Sequence, residues 1–91
     1  MEGQVVDAAA RSRFELDVGG LTCFADYRID GERLIVTHVE APPVLRGTGA
    51  AGRLMEGLLA IARSKGQKIV PLCGYASAYI RRHAEHRDLL A

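Results

Sequence analysis

Tryptophan is absent from this sequence, and aromatic residues make up only 5% of it. Two cysteines, Cys23 and Cys73, are too few for the disulfide framework of a small secreted scaffold. The expectation is a reduced, cytoplasmic protein. No apolar run approaches the ~20 residues that a membrane-spanning helix needs. The start, MEGQVVDAAARSR, carries acids early and no long apolar stretch, so it does not read as a secretory leader. Charge of one sign is lacking too: 12 Lys and Arg stand against 11 Asp and Glu, a net +1. That balance argues against a nucleic-acid binder, whose domain is usually clearly basic. Neither nucleic acid nor membrane is therefore an expected partner. What remains is a chain of 91 residues, 48% hydrophobic and 25% charged, the balance of one folded domain with a modest core. Ten residues are glycine, and their positions carry the first functional signal.

Residues 1–12 read as a frayed lead-in to a single domain over residues 1–91. From Arg13 the pattern is that of a strand, with Phe14, Leu16 and Val18 alternating with Glu15 and Asp17. Gly19-Gly20 supplies a two-residue turn. Cys23, Ala25, Tyr27 and Ile29 continue the alternation, and Asp30-Gly31 marks a second hairpin. A third strand is expected from about Arg33 to Ala41. Strict alternation puts Leu34, Val36 and His38 on one face and Ile35, Thr37, Val39 and Ala41 on the other. Apolar residues on both faces suggest a central strand covered on both sides.

Pro42-Pro43 ends that strand. After the turn Leu45 to Ala51, the residues Ala51, Leu54, Met55, Leu58, Leu59 and Ala62 recur at the spacing of one buried helix face. Gly66 reads as its C-terminal cap. Lys68 to Cys73 reads as a short buried strand, Ser77 to about His83 as a second helix, and Arg87 to Leu90 as the close of the chain. The order is β-β-β-α-β-α. It predicts an α/β (α+β) fold with a mixed, mostly antiparallel sheet and helices packed against it.

The turn Arg46-Gly47-Thr48-Gly49-Ala50-Ala51 joins a strand to a helix start, where backbone N–H groups lack partners and the helix dipole is positive. Gly47 and Gly49 permit positive φ, so several N–H groups can converge on one anion. Arg46 adds a forked cation suited to phosphate. The implied ligand is a phosphate or pyrophosphate. No Gly-Lys-Ser/Thr follows, so this is not a Walker A loop, and the spacing is not that of a dinucleotide fingerprint. The plainer alternative is that the glycines only make a tight turn.

Residues 46–51 resemble the Gln/Arg-x-x-Gly-x-Gly/Ala signature of the GNAT acetyltransferase superfamily. His38-Val39-Glu40-Ala41-Pro42-Pro43, Pro71-Leu72-Cys73, Tyr79-Ile80-Arg81-Arg82-His83 and Asp88-Leu89-Leu90 agree in order and spacing with its short, single-domain YjdJ-type branch. Val39, Ala41 and Ala84 depart from that branch, which carries Thr, Val and Pro there. The resemblance implies a compact GNAT-like fold that uses acetyl-coenzyme A as co-substrate, with no metal, and N-acetyl transfer to an amine. It implies that Arg46, Gly47, Thr48, Gly49, Ala50 and Ala51 hold the pyrophosphate. Main-chain groups near Val39 to Ala41 would pair with the pantetheine arm in a splay between the third strand and Ile69-Val70-Pro71-Leu72-Cys73. The Ala41 N–H, or a neighbour, would polarise the thioester carbonyl. The chain is short for the superfamily, so the acceptor site is expected to be open or completed by a second subunit, in a monomer or weak homodimer.

Acetyl transfer needs a base for the ammonium proton and an acid for the leaving thiolate. Cys73, just before a helix, suits a nucleophile that would form an acetyl-Cys intermediate, or else a buried structural thiol. His38 and Glu40, two apart on one strand, are candidates for the base, and His38 alternatively for activating Cys73. Each also fits a structural role. Tyr79 is the candidate acid, as a helix tyrosine is in many GNAT enzymes, or a core residue; Tyr75 borders the same helix. Arg81, Arg82, His83, His86 and Arg87 form a basic cluster, suited to adenosine phosphates or a solvated face. Cys73, His83 and His86 lack a fourth ligand for zinc. A rival function is a coenzyme A-binding or interaction module without efficient catalysis; a thioesterase-like use of Cys73 is another.

Overall fold

A computed structural model describes residues 3–91. Residues 1 and 2 of the expected lead-in lie outside the described residues. Five strands form one sheet in sequence order: β1 (Val6–Ala8), β2 (Arg13–Val18), β3 (Leu21–Asp30), β4 (Arg33–Glu40) and β5 (Lys68–Pro71). The first four pair antiparallel, and β5 joins β4 in parallel after the helix α1 (Ala50–Ser64). A second helix, α2 (Gly74–Arg82), and a 3-10 turn at Ala84–Leu89 complete the chain. The mixed sheet and the α+β class are those the periodicity predicts. Among the described residues no helix is long and apolar enough to cross a membrane.

The helices cover one face of the sheet. Phe14 and Leu16 of β2, Cys23, Ala25 and Tyr27 of β3, and Leu34 and Val36 of β4 are buried there against Leu54, Met55, Leu58, Leu59, Ile69, Ala76 and Ile80. The helix α1 ends with Gly66 N–H donating to Arg63 O and Gln67 N–H to Ala62 O, a Schellman closure that turns the chain into β5.

Three expectations need correction. Residues 6–11 are not frayed. They form β1, followed by a 3-10 turn at Ala9–Arg11. The reason is tertiary: Tyr27 donates to Asp7 Oδ1 at 2.6 Å, Lys65 Nζ meets Asp7 Oδ2 at 3.1 Å, and Val5 packs onto Gly57. A Cβ at residue 57 would stand 2.2 Å from Val5 Cγ2, so only glycine lets the segment lie this close. The Tyr27 phenol is pushed up to about 12, first by burial and then by its bond to Asp7.

The sheet is covered on one face, not both. The half-exposed Ile35 lies opposite Val70, on the face without helices. Finally, strict alternation fails within β4. Tyr27 pairs with Val36, but Asp26 pairs with His38, so Thr37 is an extra residue, a β-bulge. Beyond it, Val39 lies opposite the buried Ala25 and joins the Leu34 and Val36 face, while His38 and Glu40 project from the open face.

Candidate functional site

The site grows from a divergence of two strands. β4 and β5 pair only over Arg33–Val36 and Lys68–Pro71. Leu72 N–H and Cys73 N–H then both donate to the Val36 carbonyl, at 3.0 and 3.3 Å. There the chain turns into α2, while β4 continues through Thr37–Glu40 without a strand partner on that side. The result is a gap between β4 and the start of α2.

At one end of the gap lies the glycine turn. Pro43–Leu45 forms a 3-10 turn, Arg46 is extended, and Gly47 and Gly49 take φ of +81° and +87°. Both values lie where side chains with a Cβ are strained. Thr48 Oγ1 donates to Leu45 O at 2.5 Å and accepts from Ala50 N–H at 3.3 Å, so this residue ties the turn internally. Among the described residues no acceptor meets the N–H groups of Gly47, Gly49, Ala51 or Gly52. These donors stand at the positive end of the fifteen-residue α1. Arg46 Nε donates to Ala41 O at 3.4 Å, which holds its guanidinium beside the turn.

A cavity of about 490 Å³ connects turn and gap. It is lined by Val39, Ala41, Leu45, Arg46, Gly47, Gly49, Ala50, Ala51, Gly52 and Tyr75. Seven of the eight sequence-chosen cofactor residues therefore lie on one cavity, and the eighth, Thr48, shapes the turn behind it. The turn suits an anion, and the walls at Val39, Ala41, Leu45 and Tyr75 suit an apolar arm.

The candidate catalytic residues are not gathered in one place. His38 Nε2 and Glu40 Oε1 hydrogen-bond at 2.7 Å on the open face, each about half exposed. The His38 ring stands 6.1 Å from that of Phe24. Cys73 is the N-cap residue of α2, half-buried, and its side chain packs against the helix-covered core. The structure does not bring His38 to Cys73: the bulge turns the imidazole to the opposite side of the sheet. Cys23, read as strand packing, is fully buried, and that burial pushes its thiol up.

Tyr79 does not line the cavity. Its ring packs over Gly52, where a Cβ would be 3.6 Å away, and its hydroxyl donates to Glu56. Burial, and then this bond, push the phenol well up. His86 Nε2 meets both Glu56 oxygens at 3.0 Å, and His83 stacks on Tyr79 with ring centroids 4.0 Å apart. The Tyr79 bond holds the Glu56 carboxyl below its usual range, against an opposing effect of burial, with the His86 bond adding to the lowering. Ligand atoms of Glu56, Glu85 and His86 lie within 4.8 Å of one another, but exposed carboxylates commonly group this way without a cation. Cys73 is not in that group. Sequence reasoning missed Glu56, and it gave Tyr75 no role. The available signal for Glu56 was its i, i+4 spacing from Gly52 on the polar side of α1. For Tyr75 it was the place directly after Cys73-Gly74.

A family model described as GCN5-related N-acetyl-transferase matches residues 13–89. Among solved structures, the NMR solution structure of a GCN5-like protein from Staphylococcus aureus superposes with a TM-score of 0.73. It covers 100% of this chain and 87% of that one at 19% identity, so this likeness carries the fold alone. Comparison with curated proteins gives no match.

Proposed function

The chain belongs to the GCN5-related N-acetyl-transferase family, and from that premise we propose that it binds acetyl-coenzyme A and transfers the acetyl group to an amine. The observation that carries this reading is the cavity that joins unpartnered N–H groups at the start of α1 to the free edge of β4. The N–H groups of Gly47, Gly49, Ala51 and Gly52 would hold the pyrophosphate, with the Arg46 guanidinium adding charge. The pantetheine arm would lie along Val39 and Ala41, against the Tyr75 ring. A main-chain N–H near Ala41 would stabilise the negative charge that develops on the thioester oxygen.

The acceptor approaches from the other side of the sheet. Glu40, bonded to His38, takes the ammonium proton there, and the free amine then attacks the thioester carbonyl. The C–S bond breaks, the acetyl group stays on nitrogen, the nitrogen releases the extra proton it carries after attack, and the thiolate takes up one proton so that coenzyme A leaves as the thiol. The placement of Tyr75 on the cavity favours it over Tyr79 for facing that thiolate. Tyr79, held by Glu56, acts in this reading by fixing α2 against α1. A second reading keeps Cys73 as nucleophile, because its thiol sits at the N-cap of α2 without a side-chain cap bond. An acetyl adduct on Cys73 by mass spectrometry would support that route.

Isothermal titration with coenzyme A tests the proposal. Micromolar binding is expected, weakened at least about tenfold in Arg46→Ala, since a charge-assisted bond contributes about 1.5–3 kcal/mol. Equal binding by wild type and Arg46→Ala would remove the proposed cradle.

A further inference from the structure

The Glu56 carboxylate stands behind two walls of the cavity. Glu56 lies one turn beyond Gly52 on α1, so the two share one face of the helix. Tyr79 lies one turn beyond Tyr75 on α2, and their ring centroids are 6.2 Å apart. The Tyr79 ring packs over Gly52 while its hydroxyl donates to Glu56, so one side chain bridges a full turn of α1. Gly52 and Tyr75 both line the cavity. Tyr79 stands next to each of them.

Of the nine residues of α2 only Ala76 and Ile80 are fully buried. Apolar burial is non-directional: it fixes which side of a short helix faces the core, but holds its rotation and shift only loosely. Hydrogen bonds are directional and set both. Glu56 gathers two of them. Besides the Tyr79 hydroxyl, His86 Nε2 meets both its oxygens at 3.0 Å, from the 3-10 turn that follows α2. His86 Nδ1 is buried and has no hydrogen-bond partner among the described residues, so the imidazole is held through Glu56. His83 Nδ1 donates to Tyr79 O at 2.8 Å and stacks on the Tyr79 ring, tying the same tyrosine to the end of α2.

A second anchor holds the same 3-10 turn at a distance from the cavity. Arg63 Nη1 and Nη2 donate to the two Asp88 carboxylate oxygens at 2.7 and 2.9 Å. Arg63 stands two turns beyond Glu56 on α1, about 10 Å farther along the helix axis. Neither Arg63 nor Asp88 lines the cavity.

We infer that Glu56 is a positioning residue: by holding Tyr79 and His86 on one carboxylate, it sets the first turn of α2 and so fixes the Tyr75 ring across the cavity from Gly52. It acts through Tyr79, which supports the cavity wall and is not the acid that meets the thiolate. The step rests on the coenzyme reading of that cavity.

The test is calorimetry with coenzyme A on the full chain, together with NMR amide shifts of the free protein. Glu56→Ala and Tyr79→Phe should each weaken coenzyme A binding about fivefold, the scale of one net hydrogen bond. Tyr79→Phe keeps the ring over Gly52, so it serves where Glu56→Ala disturbs folding. The double variant should lose little more than Glu56→Ala alone, because both changes remove the same contact. In the free protein each should shift the Gly74 and Tyr75 amides. Arg63→Ala should lower the melting temperature, yet leave those amides in place and coenzyme A affinity within about twofold of wild type. Unchanged affinity in both Glu56→Ala and Tyr79→Phe would overturn the proposal. So would losses that multiply in the double variant, which would put Tyr79 on the ligand itself. An equal loss in Arg63→Ala would overturn it too, since Glu56 would then be one structural tie among several. A wild type that binds no coenzyme A counts against the proposed function instead. The free-protein amides then decide this inference: it stands if Gly74 and Tyr75 move in Glu56→Ala or Tyr79→Phe and not in Arg63→Ala, and fails otherwise.

Discussion

The two faces of β4 are built from the same eight residues and do different things. The covered face carries Leu34, Val36 and, past the bulge, Val39, which continues from the core into the cavity wall. The open face carries His38 and Glu40, hydrogen-bonded to each other and about half exposed. One inserted residue, Thr37, separates a regular strand from one that bends at the gap. A strand can thus present apolar side chains to one ligand and ionisable side chains to another, and in the proposed function the two ligands meet only at the gap.

The largest expected effect on coenzyme binding breaks the covered side. Gly49→Val puts a β-branched residue at φ +87°, which costs about 1–2 kcal/mol or more, and swings the neighbouring N–H groups off their common target. With the lost phosphate bonds, coenzyme A affinity should fall about 100-fold by calorimetry; unchanged affinity would sever turn from cavity. Glu40→Gln breaks the open side instead. Turnover of the amine should fall by about 100-fold or more, the usual range for loss of a general base, while coenzyme A binds as before. A matching loss of coenzyme affinity would merge the two faces into one site.

Deletion of Thr37 sharpens the comparison. It leaves Val36 and His38 in their present pairing with β3, so the protein should fold, with coenzyme A affinity lowered by about tenfold or less as the gap narrows. Retained affinity would mean that the bulge has no part in opening it. The smallest effect concerns burial on the covered side. Tyr27 keeps its proton up to about pH 12 when folded, against about 10 unfolded. Its stabilising share is therefore complete below about pH 10 and lost as pH rises towards 12. Thermal melts of Tyr27→Phe should show a shallower decline in that window than wild type.

These contrasts also explain what could be read from sequence. The β2–β3 hairpin was legible because Gly19-Gly20 separates two clean alternations, and α1 because its apolar spacing is regular. The glycine turn was legible because all its residues are adjacent, so one local motif specifies it. The bulge was not: Thr37 is an ordinary strand residue, and only the pairing with β3 reveals the extra step. β1 was missed because Val-Asp-Ala has no pattern of its own and is held by Tyr27, Lys65 and Gly57, all distant in the chain. Nor does a capping residue announce α2, which starts at Gly74, three residues before the expected Ser77. The Glu56 contacts join positions 23 and 30 residues apart, beyond the reach of any periodicity.

Amide chemical shifts followed by NMR during titration with coenzyme A test the central claim most directly. The largest changes should fall on Gly47, Gly49, Ala51 and Gly52, with smaller ones at Val39 and Ala41 and almost none at Glu15 and Phe24. Saturation with the glycine-turn amides unmoved, or with the largest shifts on the open face, would contradict the account.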